Sequence, residues 1–404
     1  MMHLFINSLA ASAGGGLTYI RNVLPHLDAK PDVRVTVALS SVLRDEFRGF
    51  RNIDFLEPQG LPVRRFWYEQ SELPELIRGC RADVLLSTGN IALRKSPVPQ
   101  VLLSRNSIYT SEDFYRDLRS RHEYRMWVDT HLRALIARRS IRWANVTVAP
   151  SQAFASELSR WTDARVLAIH HGFDREAFNR DSGPLAPEVE EKLRAAEGSL
   201  KLLFVSHYNY YRNFETLIRA LPMLRDQMGR RPIKLLLTCS LATGKNPGSY
   251  RSGTAAELMR KLGVSDMVVE LGAIPYRQLH LLYRRADVYV TPAYTETFAH
   301  PLVEAMASGL PVVASDLPVH REICGDAAVY FPRFSAEALA GTVTRVALSP
   351  ETSRRMAVLG LERSRQFSWK THVERILELC RTLLDSKPKL ATKEAGSGAA
   401  EVES

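Results

Sequence analysis

A chain of 404 residues exceeds what one hydrophobic core usually supports, so two domains of roughly 150 to 200 residues are expected. With 45% hydrophobic and 24% charged residues, the composition excludes a disordered or fibrous chain. The net charge of +10 admits nucleic acid, an anionic membrane surface or phosphorylated small molecules as partners; nucleic acid is set aside, because no helix-turn-helix, RNA-recognition or zinc-finger pattern accompanies the charge.

Taken in chain order, "HLFINSL" opens as a strand rather than a secretion signal, since no basic segment precedes it. "SAGGGLTYIRNVLPHL" follows, in which Gly14, Gly15 and Gly16 lead into a helix. Glycines there let backbone amides approach an anion, and the helix dipole favours negative charge; a diphosphate is the natural ligand, although a plain turn has the same look. The runs "RVTVAL", "DVLLST", "QVLLS", "NVTVAP" and "RVLAIHHG" complete a first set of strands alternating with helical patterns, as in a parallel sheet with crossover helices. After "QVLLS" come Arg105 and Asn106, at the strand end where ligands of such sheets bind. From Arg105 to Arg142 nine arginines stand against five acids, interleaved with Tyr124, Trp127, Leu132, Leu135, Ile136 and Ile141. This amphipathic stretch reads as a helix packing its apolar face on its own domain, or as one lying against a membrane.

The domain boundary falls near "HHGFDREAFNRDSGPLAPEVEEKL", where Gly, Pro and charge accumulate. Residues 1–175 form the first expected domain and 176–386 the second, whose last helix could return to the first. The second domain carries the strands "KLLFVSH", "IKLLLTC", "VVELGAI", "DVYVTPA", "PVVASD" and "AAVYF". Residues 387–404, poor in large apolar side chains, are expected to be a disordered tail. Four scattered cysteines, Cys80, Cys239, Cys324 and Cys380, show no zinc-ligating spacing and suit a reducing cytoplasm. No segment reaches the roughly 18 apolar residues of a membrane span.

The strongest chemical signal is "PAYTETFAHPLVEAMASGLPVVASD". A strand ends in a loop carrying Glu296, and a helix from about His300 to Ser308, with Pro301 in its first turn and Gly309 stopping it, carries Glu304. The amides near Phe298, Ala299 and His300 then sit at a helix N-terminus between two carboxylates. A phosphate at the dipole, with one carboxylate on a sugar and the other on a ribose, fits that layout.

The stretch "ETFAHPLVEAMASGLPVVA" resembles the pattern "ExFGxPxxEAMAxGxPVVA" of glycosyltransferase family 4, and the likeness extends over about residues 1–385. The resemblance implies the GT-B architecture, an α/β fold of two doubly wound Rossmann-like domains facing across a cleft: acceptor in the first, nucleotide sugar in the second. It implies a retaining transfer from a UDP- or GDP-sugar to a glycan or lipid-linked acceptor, with Glu296 on the transferred sugar and Glu304 on the ribose. Where the family usually has an arginine and a lysine five positions apart, "VSHYNYYRN" carries His207 and Arg212, which are read as clamping the donor phosphates. Ala299 replaces the usual glycine, and Arg105 and Asn106 stand where many members carry a histidine near sugar and acceptor. Ile274, in "LGAIPYRQL", resembles the segment that cradles the base. No Asp-x-Asp motif is present, so neither a metal nor another cofactor is expected. A cytoplasmic enzyme of cell-surface polysaccharide or glycolipid synthesis, peripheral on the membrane's inner face, is the resulting expectation. A sugar-nucleotide epimerase on the same fold and a non-catalytic partner subunit are the alternatives.

Overall fold

The computed structural model describes residues 1–11, 14–39, 43, 46, 47, 49–57, 65–180, 183–242, 244 and 250–386. The expected tail at 387–404 lies outside them. Among the described residues the chain builds two parallel sheets, each flanked by helices. The first has the order β3-β2-β1-β4-β5-β6-β7. Its strands are β1 (Met2–Asn7), β2 (Val33–Ala38), β3 (Ile53–Leu56), β4 (Val84–Ser87), β5 (Gln100–Leu103), β6 (Val146–Ala149) and β7 (Val166–Ala168). The second sheet runs β10-β9-β8-β11-β12-β13. It comprises β8 (Leu200–Phe204), β9 (Ile233–Leu237), β10 (Val268–Glu270), β11 (Val288–Thr291), β12 (Val312–Ser315) and β13 (Ala328–Phe331). The central strands are buried on both faces, which is why they read as continuous Val, Ile and Leu runs.

One strand escaped the sequence reading. β3 is a four-residue edge strand with a single buried residue, Ile53, too short for its alternation to register.

The last helix, Trp369–Asp385, returns to the first sheet: Trp369, Val373, Ile376, Leu377 and Cys380 share a core with Leu4, Ile20, Leu24 and Val148. The return is tight. A side chain at Gly172 would meet the backbone nitrogen of Trp369 at 1.9 Å, so only glycine lets the two segments cross.

The basic stretch is not one amphipathic helix. It divides into a short turn at Ser107–Tyr109, a helix Glu112–Ser120 and a helix Tyr124–Trp143, broken at His122, whose φ is +56°. The first helix inserts Phe114 and Leu118 into the core of the second half, against Tyr208, Tyr210 and Phe214. In the longer helix the small residues Thr130, Ala134, Ala137 and Ser140, with Ile141, face inward. Tyr124, Val128, Leu132 and Leu135 face outward, 49–59% exposed, while Ile141 is buried and Trp127 and Ile136 are half-buried, so only part of the expected apolar stripe packs inward.

Ion pairs and hydrogen bonds join the halves along the cleft. Arg333 binds Asp113, Arg121 binds Glu215 at 2.9 Å, and the Tyr294 hydroxyl donates to Asp117 at 2.8 Å. Glu322 of the second half accepts from the amides of Gln152 and Ala153, at 2.7 and 2.6 Å, capping the helix Gln152–Thr162 of the first.

Candidate functional site

β11 ends in the loop that carries Glu296, and the helix His300–Ala307 starts four residues later with Pro301 in its first turn. Ala299, just before that helix, has φ +64° and ψ +63°. The sequence shows only that a methyl replaces a hydrogen there; the structure adds that the position is left-handed, where a non-glycine residue costs about 1–2 kcal/mol.

Arg212 and Glu296 form a hydrogen-bonded ion pair, with side chains only 22% and 11% exposed. Glu296 also accepts from the Thr297 amide at 2.9 Å, and the Arg212 guanidinium lies 5.3 Å over the Tyr211 ring. Burial works against the charged carboxylate, but Arg212 and the Thr297 amide outweigh it and hold its pKa below the ordinary value. Burial opposes the charge of Arg212 as well, and Glu296 reverses that too. The Nε of Arg212 remains buried without a partner among the described residues. Asn213, left-handed at φ +57°, fixes the loop by donating to the carbonyls of Pro292 and Arg333 at 3.0 and 2.8 Å. Sequence reading missed it, and its only signal was an asparagine beside a candidate ligand residue. Glu296 also lines a cavity of about 580 Å³ shared with Thr110, Glu157 and Trp161 of the first half.

Glu304 points to a different environment. It is 3% exposed and accepts from the Tyr283 hydroxyl at 2.8 Å. Burial without a cationic partner pushes its carboxyl up to about 7, the Tyr283 bond working weakly against that. The two carboxylates, one in the loop before the helix and one within it, thus differ: one is held ionised, the other titrates near neutrality.

The other predicted residues divide. Gly14, Gly15 and Gly16 begin the helix Gly14–Asp28, and a side chain at Gly16 would press on the Ala11 backbone at 3.2 Å. Arg105, expected on the sugar side, spends its guanidinium on the carbonyls of Gly15 and Thr88, each at 2.8 Å, and lies 4.8 Å over the Tyr19 ring. Burial lowers its pKa to about 10. It braces the glycine turn. Asn106 caps the turn at Ser107–Tyr109 through the Ile108 amide at 3.3 Å. Phe298 is fully buried against His170, His171 and His300, so only its backbone can meet a ligand. His300 is half-buried at the first helical position, and Ile274 is half-buried beyond β10. His207 is exposed beyond β8, and its ring makes no hydrogen bond or ion pair with another described residue. Among the described residues no group of three or more His, Cys, Asp or Glu is placed to hold a metal ion.

Two family models match the chain: Glycosyltransferase Family 4 over residues 13–177 and Glycosyl transferases group 1 over residues 186–360. A D-inositol 3-phosphate glycosyltransferase of Corynebacterium aurimucosum is 24% identical over 249 residues, covering 60% of this chain and 58% of the relative. The one of Saccharomonospora viridis is 30% identical over 240 residues, covering 56% and 53%. The chain thus spans little more than half the length of these relatives. Among solved structures, sucrose-phosphate synthase of Thermosynechococcus elongatus superposes with a TM-score of 0.73 at 18% identity, covering 96% of this chain and all of the other. Anabaena HepE in complex with UDP-glucose gives 0.70 at 17%, covering 95% and 100%. These likenesses establish the two-domain GT-B fold.

The raised pKa of Glu304 sets a stability prediction. Its protonated form is favoured in the fold, so the contribution is fully present below about pH 4.5 and is lost as pH rises through about 7. Glu304→Gln keeps the acceptor for Tyr283 and removes the charge. Urea unfolding should find the variant about 2–3 kcal/mol more stable than the parent at pH 8 and equal to it near pH 4.5. The same difference at both pH values would show that burial does not govern this carboxyl.

Proposed function

The chain belongs to the group 1, family 4 glycosyltransferases, and from that premise we propose that it moves a sugar from a nucleotide diphosphate sugar to an acceptor hydroxyl with retention of configuration. The observation that carries the reading is the placement of Glu296 in the loop before a short helix and of Glu304 within that helix, with Arg212 against the first. The diphosphate rests on the amides of residues 298–300 and on Arg212, with His207 and the glycine turn at 14–16 closing over it. Glu296 turns from Arg212 toward the sugar hydroxyls. Glu304, titrating near neutrality, donates to or accepts from the ribose diol, and Ile274 lies against the base. The bond from the anomeric carbon to the phosphate oxygen breaks as the bond to the acceptor oxygen forms on the same face. The acceptor's proton passes to the departing phosphate oxygen. Preorganised donors stabilise the charge that gathers there, each worth about 3–4 kcal/mol. Neither a metal nor another cofactor enters this scheme.

A nucleotide-sugar partner agrees with the UDP-glucose found in the HepE structure, and UDP- or GDP-sugars are the donors to screen. For the acceptor, the exposed stripe Tyr124, Val128, Leu132 and Leu135, beside Arg125, Arg138 and Arg139, favours a glycan or lipid-linked compound met at an anionic membrane surface. We place the enzyme in the cytoplasm, peripheral on that membrane. The names of the curated relatives favour a second reading, a small phosphorylated cyclitol.

Arg212→Lys keeps a buried cation for Glu296 but loses the two-pronged contact to phosphate. Calorimetry with UDP and GDP should show at least a tenfold loss of affinity for the preferred nucleotide, and the transfer rate should fall about 100-fold. Unchanged affinity and rate would remove Arg212 from the phosphate site. Sedimentation with anionic vesicles should pull down the wild type and leave Leu132→Glu in solution. A wild type that stays in the supernatant would leave the soluble acceptor.

A further inference from the structure

Histidines gather where the halves meet, and the proposed chemistry uses only the backbone of one of them. The Nδ1 of His372 lies 2.8 Å from the His170 carbonyl oxygen, which can only accept, so Nδ1 carries the hydrogen. Its Nε2 is then left to accept from the Tyr19 hydroxyl at 3.0 Å. His320 follows the same rule. Its Nδ1 donates to the Ser315 carbonyl at 2.9 Å, and its buried Nε2 has no partner among the described residues.

The pair that crosses the cleft is His171, just beyond β7, and His300. Nδ1 of His171 and Nε2 of His300 are 3.2 Å apart, so one donates and the other accepts. Burial keeps both rings neutral: His300 falls to about 4, and His171 lies well below the ordinary histidine value. Each ring therefore has one proton to place. His171 is 4% exposed, and its Nε2 finds no partner among the described residues. A proton on that nitrogen would orphan a buried N–H donor, which folded proteins rarely tolerate. A bare nitrogen there repeats the arrangement of His320. Donation thus runs from His171 Nδ1–H to His300 Nε2, and the proton of His300 falls on Nδ1.

His300 is half-buried and begins the helix between Glu296 and Glu304; Glu296 from the second half and Arg105 from the first both act on its ring. The nitrogen that His171 does not hold makes no hydrogen bond with another described residue and is the one left for a ligand. We infer that His171 is a positioning residue, which locks His300 in its Nδ1–H tautomer and gives this helix N-terminus a neutral side-chain donor for a phosphate oxygen of the nucleotide. The phosphate partner rests on the nucleotide-sugar reading, whereas the tautomer does not. Because the two rings belong to different halves, the donor is complete only while the halves are together.

Nitrogen-15 NMR of histidine-labelled full-length protein without ligand, with His300 assigned through His300→Gln, reads the tautomer directly. Protonation on Nδ1 is expected, and protonation on Nε2 overturns the lock. UDP and GDP titrations then test the consequence. His171→Asn, whose amide nitrogen can stand in for Nδ1, should bind the preferred nucleotide within about twofold of the wild type, and His171→Leu should bind it about tenfold more weakly. Equal losses in both variants would assign His171 to packing alone and overturn the proposal. A wild type that binds neither nucleotide would overturn the phosphate partner and the nucleotide-sugar reading, while leaving the NMR result to decide the lock.

Discussion

Two opposite charges taken out of water, Arg212 and Glu296, make the constraint around which the site is organised. Neither could be buried and ionised alone, because an isolated desolvated charge costs several kcal/mol even after relaxation. Together they stay charged. Their loop is pinned by Asn213, and Thr297 and Tyr211 complete the contacts. The pair compensates its own charges, and the Nε of Arg212 has no hydrogen-bond partner among the described residues. On the proposed reading, an arriving diphosphate takes Arg212 and frees Glu296 for a sugar hydroxyl. On that account one ion pair both holds the site's charges in place and defines what it binds.

The same helix separates two carboxylates by environment rather than by residue type. Glu296 has a guanidinium beside it and stays charged, while Glu304 has only the Tyr283 hydroxyl and rises toward neutrality. Sequence spacing alone cannot distinguish them. The difference arises because Arg212 and the Thr297 amide offset burial at one carboxylate, whereas burial prevails over the Tyr283 bond at the other.

What the sequence made legible was local. Twelve of the thirteen strands showed as apolar runs, and the glutamate spacing, the helix between and its proline and glycine ends stood in one continuous segment. What escaped depends on contacts between distant segments. The His171–His300 pair spans 129 residues, and Tyr19–His372 spans 353, so no window contains either. Arg105 looked like a ligand residue because it follows a strand; its carbonyl partners, Gly15 and Thr88, are brought to it only by the neighbouring strand ends. The face chosen by the helix Tyr124–Trp143 was unreadable for another reason. Small residues pack inward there, reversing the usual rule that the large apolar side faces the core.

The central claim is that the Arg212–Glu296 pair is the seat of the diphosphate and its sugar. A crystal structure with an intact nucleotide diphosphate sugar tests this most directly. The account predicts phosphate oxygens on the Arg212 guanidinium and on the amides of residues 298–300, with Glu296 turned to the sugar. A ligand held elsewhere, with the pair still closed on itself, would contradict it.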